Sequence, residues 1–144
     1  MSGGKANTFD ADLLKLIFNA TAITSLAINA TSSPFTNLYV ALHTADPGVG
    51  GTQSTSEAAY TSYARVAVAR TTGGWTVTGQ TVNPAAAIVF PAATGGSETE
   101  TWFSVGPVIS GATEIYYRGP LSASIVVTSG VTPQLSTATA ITEG

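Results

Sequence analysis

The stretch Asn37-Leu-Tyr-Val-Ala-Leu-His-Thr-Ala-Asp-Pro-Gly48 constrains this chain more than any other part of it. From Leu38 to Thr44 the side chains alternate between two faces, the two-residue period of a strand. Leu38, Val40 and Leu42 are large and aliphatic and form the expected core face, while Tyr39, Ala41 and His43 point the other way. Asp46-Pro47-Gly48 then stops the strand, because proline fixes φ and cannot extend the ladder, and Asp and Gly suit a turn. The Gly/Ser/Thr-rich run from Val49 to Ser56 predicts a long surface loop. A second alternating strand runs from Tyr63 to Val68, with Ala64, Val66 and Val68 facing inward.

The rest of the chain reads as further short strands of the same body. Arg70-Thr-Thr-Gly-Gly-Trp75 is a turn feeding a strand from Trp75 to Val82, which Asn83-Pro84 breaks. Ala86 to Phe90 is a short apolar strand closed by Pro91. Thr101 to Val105 is another, and Gly106-Pro107 forces a bend or an edge position after it. Glu114 to Arg118, Ser124 to Thr128 and Gln134 to Thr142 complete the set, the last with Leu135 and Ile141 toward the core. Short strands separated by turn signals every ~8–12 residues indicate an all-β fold, a β-sandwich or jelly-roll-like domain. Ahead of it, Asp10 to about Asn19 predicts a short α-helix, capped by Thr8 or Asp10. Its Leu13, Leu16 and Ile17 share a face, as do Leu14 and Phe18. Residues 1–9 read as an extended N-terminal arm and residues 10–144 as one domain without repeats. Ala20 to Ala30 is open between continued helix and extended chain, and Pro34 ends it either way.

Composition limits what such a domain can do. A chain of 144 residues is long enough to bury roughly 70% of its unfolded surface. It has no cysteine, so neither a disulfide framework nor a thiolate metal site is possible. The net charge is -3, and the basic residues are Lys5, Lys15, Arg65, Arg70 and Arg118, scattered along the chain; nucleic acid binding, which needs clustered cations, is not expected. No stretch reaches the ~18 apolar residues of a membrane span. Lys5, the apolar run Leu13 to Ala27 and Ala27-Ile-Asn-Ala30 imitate a secretory signal, but Asp10, Asp12, Lys15 and Asn19 interrupt it, and a cleaved signal is not expected. Only 9% of residues are charged, against about 25% in an average soluble domain. Residues 16–45, 71–97 and 119–142 hold no Asp, Glu, Lys or Arg. Uncharged polar faces desolvate far more cheaply than ions, so these surfaces suit contact with other subunits.

Candidate chemistry is sparse. His43 is the sole histidine, with Asp46 three residues on. No Gly-x-Ser-x-Gly elbow accompanies it and one histidine builds no typical zinc site, so a strand histidine bonding near a turn is expected. Glu98 and Glu100 would share a strand face about 7 Å apart, within the loose range of paired carboxylates in sugar hydrolysis; after Gly95-Gly96-Ser97 they are expected in a solvated loop. Trp75, Trp102, Tyr116 and Tyr117 either line a glycan groove or belong, all but one, to the core, with one of the adjacent tyrosines outward. No catalytic, cofactor or metal residue is assigned and no enzyme is expected. The candidate partner-binding residues are Arg65, Arg70 and Arg118, which either anchor a partner's carboxylates and carbonyls or pair internally with Glu57 or Glu114, together with Phe9 and Tyr117.

Leu38-Tyr-Val-Ala-Leu-His-Thr-Ala-Asp-Pro-Gly48, the Gly/Ser loop and Tyr63-Ala-Arg-Val-Ala-Val68 resemble a family of small tailed-bacteriophage virion proteins commonly labelled tail fibre proteins. Phe90-Pro-Ala-Ala-Thr-Gly-Gly96, Gly119-Pro-Leu-Ser122 and Ser129-Gly-Val-Thr-Pro133 are similar to it as well, so the likeness spans roughly residues 37–144. The resemblance implies a short helix followed by a run of short strands, and a virion structural protein assembled in the host bacterial cytoplasm. With the low charge, the expected role is non-covalent assembly with other virion proteins as a homo-oligomer, a trimer favoured, most simply as a capsid decoration or cement protein. The alternatives are a tail or tail-fibre-associated structural protein and a host glycan-binding module.

Overall fold

A computed structural model describes residues 4–144. One helix, α1 (Asn7–Asn19), precedes nine strands: β1 (Asn37–His43), β2 (Val66–Ala69), β3 (Trp75–Thr78), β4 (Thr81–Pro84), β5 (Ile88–Val89), β6 (Ser97–Gly106), β7 (Tyr117–Thr128), β8 (Gln134–Leu135) and β9 (Ile141–Thr142). They form antiparallel sheets in the orders β2-β1-β6-β7, β3-β4-β9 and β5-β8. The fold is therefore all-β with one N-terminal helix. Leu38, Val40 and Leu42 are buried as their alternation requires, and they join Phe103 and Val105 of β6 in a core completed by Trp75, Val82, Ile88, Leu135 and Ile141 of the smaller sheets and by Phe90 just after β5. Helix α1 adds Leu14 and Phe18, the Phe18 ring meeting Trp75 edge-on at 4.8 Å.

Several local expectations are corrected. The helix starts at Asn7, three residues before Asp10, so residues 7–9 are not arm; residues 1–3 lie outside the described residues. Its N-cap is Ala6, with no side-chain cap. Asp10 is instead buried in the first turn, where Oδ2 accepts Gln80 Nε2 at 2.8 Å. Residues 20–36 are neither helix nor strand: Ala20 turns left-handed (φ 54) and a tight turn joins Ile23 to Ala27. The run from Trp75 to Val82 is two strands, because Gly79 takes φ 57 at the first position of a two-residue hairpin loop, a geometry only glycine adopts without penalty. Tyr117 to Thr128 is one strand, not two. Its register jumps from Trp102↔Pro120 to Glu100↔Ile125, so Leu121–Ser124 bulge opposite Thr101. Conversely the last predicted strand divides into β8 and β9, with Leu135 and Ile141 inward as expected.

The second face of β1 and β6 departs furthest from the sequence reading. Ala41, His43, Glu100 and Ser104 are all fully buried, although three of the four are polar. The excursion from Thr44 to Arg65 closes that face. Its Thr44 N–H and Ala58 N–H bond Ser56 O and Leu42 O at 2.9 and 2.8 Å. Gln53, expected on a surface loop, is fully buried and gives Nε2–H to Tyr39 O at 3.0 Å. The second strand starts only at Val66, and Ala64 is exposed, because Tyr63 and Arg65 serve this polar layer instead of a ladder.

Candidate interaction surface

Three polar clusters fix the excursion. In the first, His43 Nδ1 lies 2.9 Å from Thr55 O, a carbonyl that can only accept, so Nδ1 carries the proton. Nε2 then accepts from Ser104 Oγ at 2.7 Å. Burial holds the imidazole below its usual pKa, against the opposing pull of the Thr55 carbonyl and of Glu57. This serine–histidine pair has a nucleophile's geometry, but both side chains are fully buried, so it can order the sheet and cannot reach a substrate.

The second cluster is built on Arg65, which is 5% exposed. Its Nε and Nη2 grip Glu57 at 2.7 and 2.9 Å in a fork that suits guanidinium and carboxylate. Nη1 donates to Val108 O (3.0 Å) and Thr113 Oγ1 (3.2 Å), and Nη2 to Gly111 O (2.7 Å). One side chain thus binds the excursion to the loop between β6 and β7. The Tyr63 hydroxyl also reaches Glu57, at 3.0 Å, and burial, followed by the charge of Glu57, raises its pKa.

The third cluster is the carboxyl pair. Glu98 Oε1 accepts the N–H groups of Ala59 and Tyr60, both at 2.8 Å. Glu100 lies two residues along the same face and is fully buried, not solvated in a loop as expected. A groove of about 550 Å³ between Leu121–Ile125 and Gln134–Ala140 is lined by uncharged residues alone and holds neither carboxyl. Among the described residues no group of three or more His, Asp or Glu is placed to hold a metal.

The predicted partner-binding residues are not brought together. Arg65 is committed inside the protein, because every direction of its guanidinium meets an acceptor. Arg70 is likewise occupied. It closes the C-terminal end of α1 by donating to Leu16 O (2.8 Å) and Ile17 O (2.7 Å), and it anchors residues 20–36 through Asn29 Oδ1 (3.0 Å) and Phe35 O (2.7 Å). Glu114 pairs with neither. Tyr117 gives its hydroxyl to Glu143 at 2.6 Å and packs on Phe18. Both Tyr116 and Tyr117 are half-buried, so neither is the outward one of the pair. Arg118 remains accessible, paired with Asp46 and lying 5.3 Å over the Trp102 ring. Phe9 is 38% exposed, on the first turn of α1. With Trp75 in the core and Trp102 beneath Arg118, the aromatic residues do not assemble into one groove.

What the residues do join are two loops that each carry exposed apolar side chains. Val49 is 97% exposed, and Val108 and Ile109 stand out from the adjoining loop. The two loops are joined by Gln53 N–H to Thr113 O at 2.8 Å and by Arg65. Gly106 permits the junction: a Cβ there would sit 2.5 Å from Glu114 O and closer still to Gln53 Oε1. Apolar side chains held on stiff loops are suited to docking, since little freedom is lost on contact. No sequence pattern marks these tips, because they are single valines and isoleucines in turn-rich segments.

Comparison with known proteins agrees with a virion role. A family model described as Podophage GP4 fiber I protein gp80 matches residues 4–142, nearly the whole chain. No curated protein matches.

Proposed function

Because the chain belongs to the Podophage GP4 fiber I protein gp80 family, we propose that it is a structural part of a phage virion's fibre assembly on the tail. It works there by non-covalent contact with other virion proteins and not by catalysis. The family match carries this reading. The capsid-cement role expected from composition gives way to it: a charge-poor surface suits burial against any subunit, whether on head or tail, whereas the family is named for a fibre protein. A non-enzymatic role is supported by the full burial of His43 with Ser104 and of Glu100, the members of the two clusters that resemble catalytic sets. The pinned tips Val49, Val108 and Ile109, with Arg118 on Trp102 beside them on the sheet, are the surface offered to neighbouring subunits. Self-association, with a trimer favoured, belongs to the same proposal.

Gold labelling of this protein on intact particles tests the location. Label on fibres is expected; label spread over the head would restore the cement role. Light scattering of the purified protein tests self-association, and a monomer at high concentration would remove the trimer.

A further inference from the structure

Glu98 and Glu100 lie on one face of β6 beneath the excursion, and their partners are unequal. Glu98 fastens the returning limb of the excursion through the N–H groups of Ala59 and Tyr60. Glu100 has no exposed surface, and among the described residues no donor reaches either of its oxygens. A buried carboxylate with neither donor nor cation is strongly disfavoured. A buried carboxylic acid is not, because its own O–H becomes a donor, and the carboxyl two residues away on the same strand face, that of Glu98, is an acceptor for it.

We propose that Glu98 and Glu100 share one proton as an acid–carboxylate pair, and that this proton latches the limb from Ser56 to Tyr63 onto β6. The groups facing Glu100 are few. Glu98 adjoins it on β6, Tyr60 faces it from the limb, and the opposing residue of β7 is the apolar Ile125. The ion pairs of Lys5, Arg65 and Arg118 are made with other carboxylates. Burial first, then the bond to Glu98 and its charge, hold the Glu100 carboxyl up to about 8. Tyr60 is pushed up to about 12 by burial and by the same two carboxyls, so its phenol stays neutral through this range. Since the folded protein binds this proton more tightly than the unfolded chain, the latch is fully present below about pH 4.5 and is lost as pH rises through about 8. Above that, two carboxylates repel across the contact that holds Ala59 and Tyr60.

Amide hydrogen exchange between pH 6.5 and 10, corrected for its intrinsic pH dependence, tests the latch. In the native protein the protection of the Ala59 and Tyr60 amides is expected to fall about tenfold per pH unit up to about 8 and to level off above it, where the closed pair has also lost its proton, while the β1–β6 amides stay protected. Glu100→Gln, which donates to Glu98 at every pH, is expected to hold the limb's protection level. Protection of the native limb that stays flat to pH 10, a parallel fall in E100Q, or loss of β1 protection in step with the limb would each overturn the proposal. Carboxyl ¹³C shifts of the unsubstituted protein give a readout that needs no variant: Glu100 titrating near 8 supports the shared proton, and titration in the ordinary carboxylate range overturns it.

Discussion

Replacing Arg65 by methionine tests the physical basis of the loop surface. Methionine keeps most of the stem's volume and removes every donor. The structure sets the size of the loss. Glu57 would surrender a two-point ion pair at 2.7 and 2.9 Å, and Val108 O, Gly111 O and Thr113 would each lose a partner. Removing one partner of a buried ion pair costs ~3–5 kcal/mol. Glu57 is itself half-buried, so water can rehydrate part of its charge, and the lower part of that range, about 3–4 kcal/mol, is expected. For a chain of this size a loss of 1 kcal/mol lowers Tm by roughly 3–4 °C, which predicts a fall on the order of 10 °C. Urea unfolding followed by tryptophan fluorescence, with Trp75 in the core as reporter, measures it. Glu57→Gln and the double variant close a cycle, in which the pair should be coupled by about 1–3 kcal/mol. A loss under about 1 kcal/mol with an unchanged m-value would refute the claim that Arg65 pins the two loops.

Gly106→Ala is expected to destabilise by more than about 2 kcal/mol, because the new Cβ meets the Glu114 carbonyl, which is backbone and cannot swing aside; thermal unfolding measures it. His43 predicts an acid-side effect. Its folded pKa is depressed by burial, so its stabilising contribution is complete above the unfolded value of about 6.5 and is lost as pH falls through the folded one. In the E100Q background, which removes the opposing Glu100 dependence, urea midpoints from pH 7 to 5 should therefore decline, and adding His43→Gln should remove that decline. The Glu100 dependence has the opposite sign, which makes comparison of E100Q with H43Q across the same range informative. Arg70→Met should raise hydrogen exchange in residues 16–36 ahead of the β-sheet, because one guanidinium holds both the end of α1 and the segment after it.

The legible parts of this fold are those where one physical demand dominates. Leu38, Val40 and Leu42 had to face a core, and Leu135 and Ile141 likewise, since large aliphatic side chains at a two-residue period have no other use. The apolar positions Leu14 and Phe18 placed the helix on the sheet, but its start moved, because backbone geometry at Ala6 sufficed without a side-chain cap. The excursion was illegible for a different reason. Gln53, Arg65, Glu98 and Glu100 are residue types that usually seek water, and only contacts between distant segments make their burial tolerable. Arg65 meets loops more than 40 residues away in sequence, and Glu98 meets amides 38 and 39 residues before it. A partial signal existed in β6, where Glu98, Glu100, Trp102 and Ser104 alternate with Phe103 and Val105. Such a long two-faced strand argues against a solvated Gly-Gly loop. The alternatives left open for the arginines are now separated: Arg65 and Arg70 act within the chain, and Arg118 remains at the surface.

The most direct measurement for the docking account places a photo-crosslinking residue at position 109 and irradiates assembled particles. The account predicts that Ile109, carried on the loop that Arg65 holds, captures another virion protein, and that the yield collapses when Arg65→Met is introduced. A position that captures nothing in the particle while remaining reachable by a water-soluble label would contradict it.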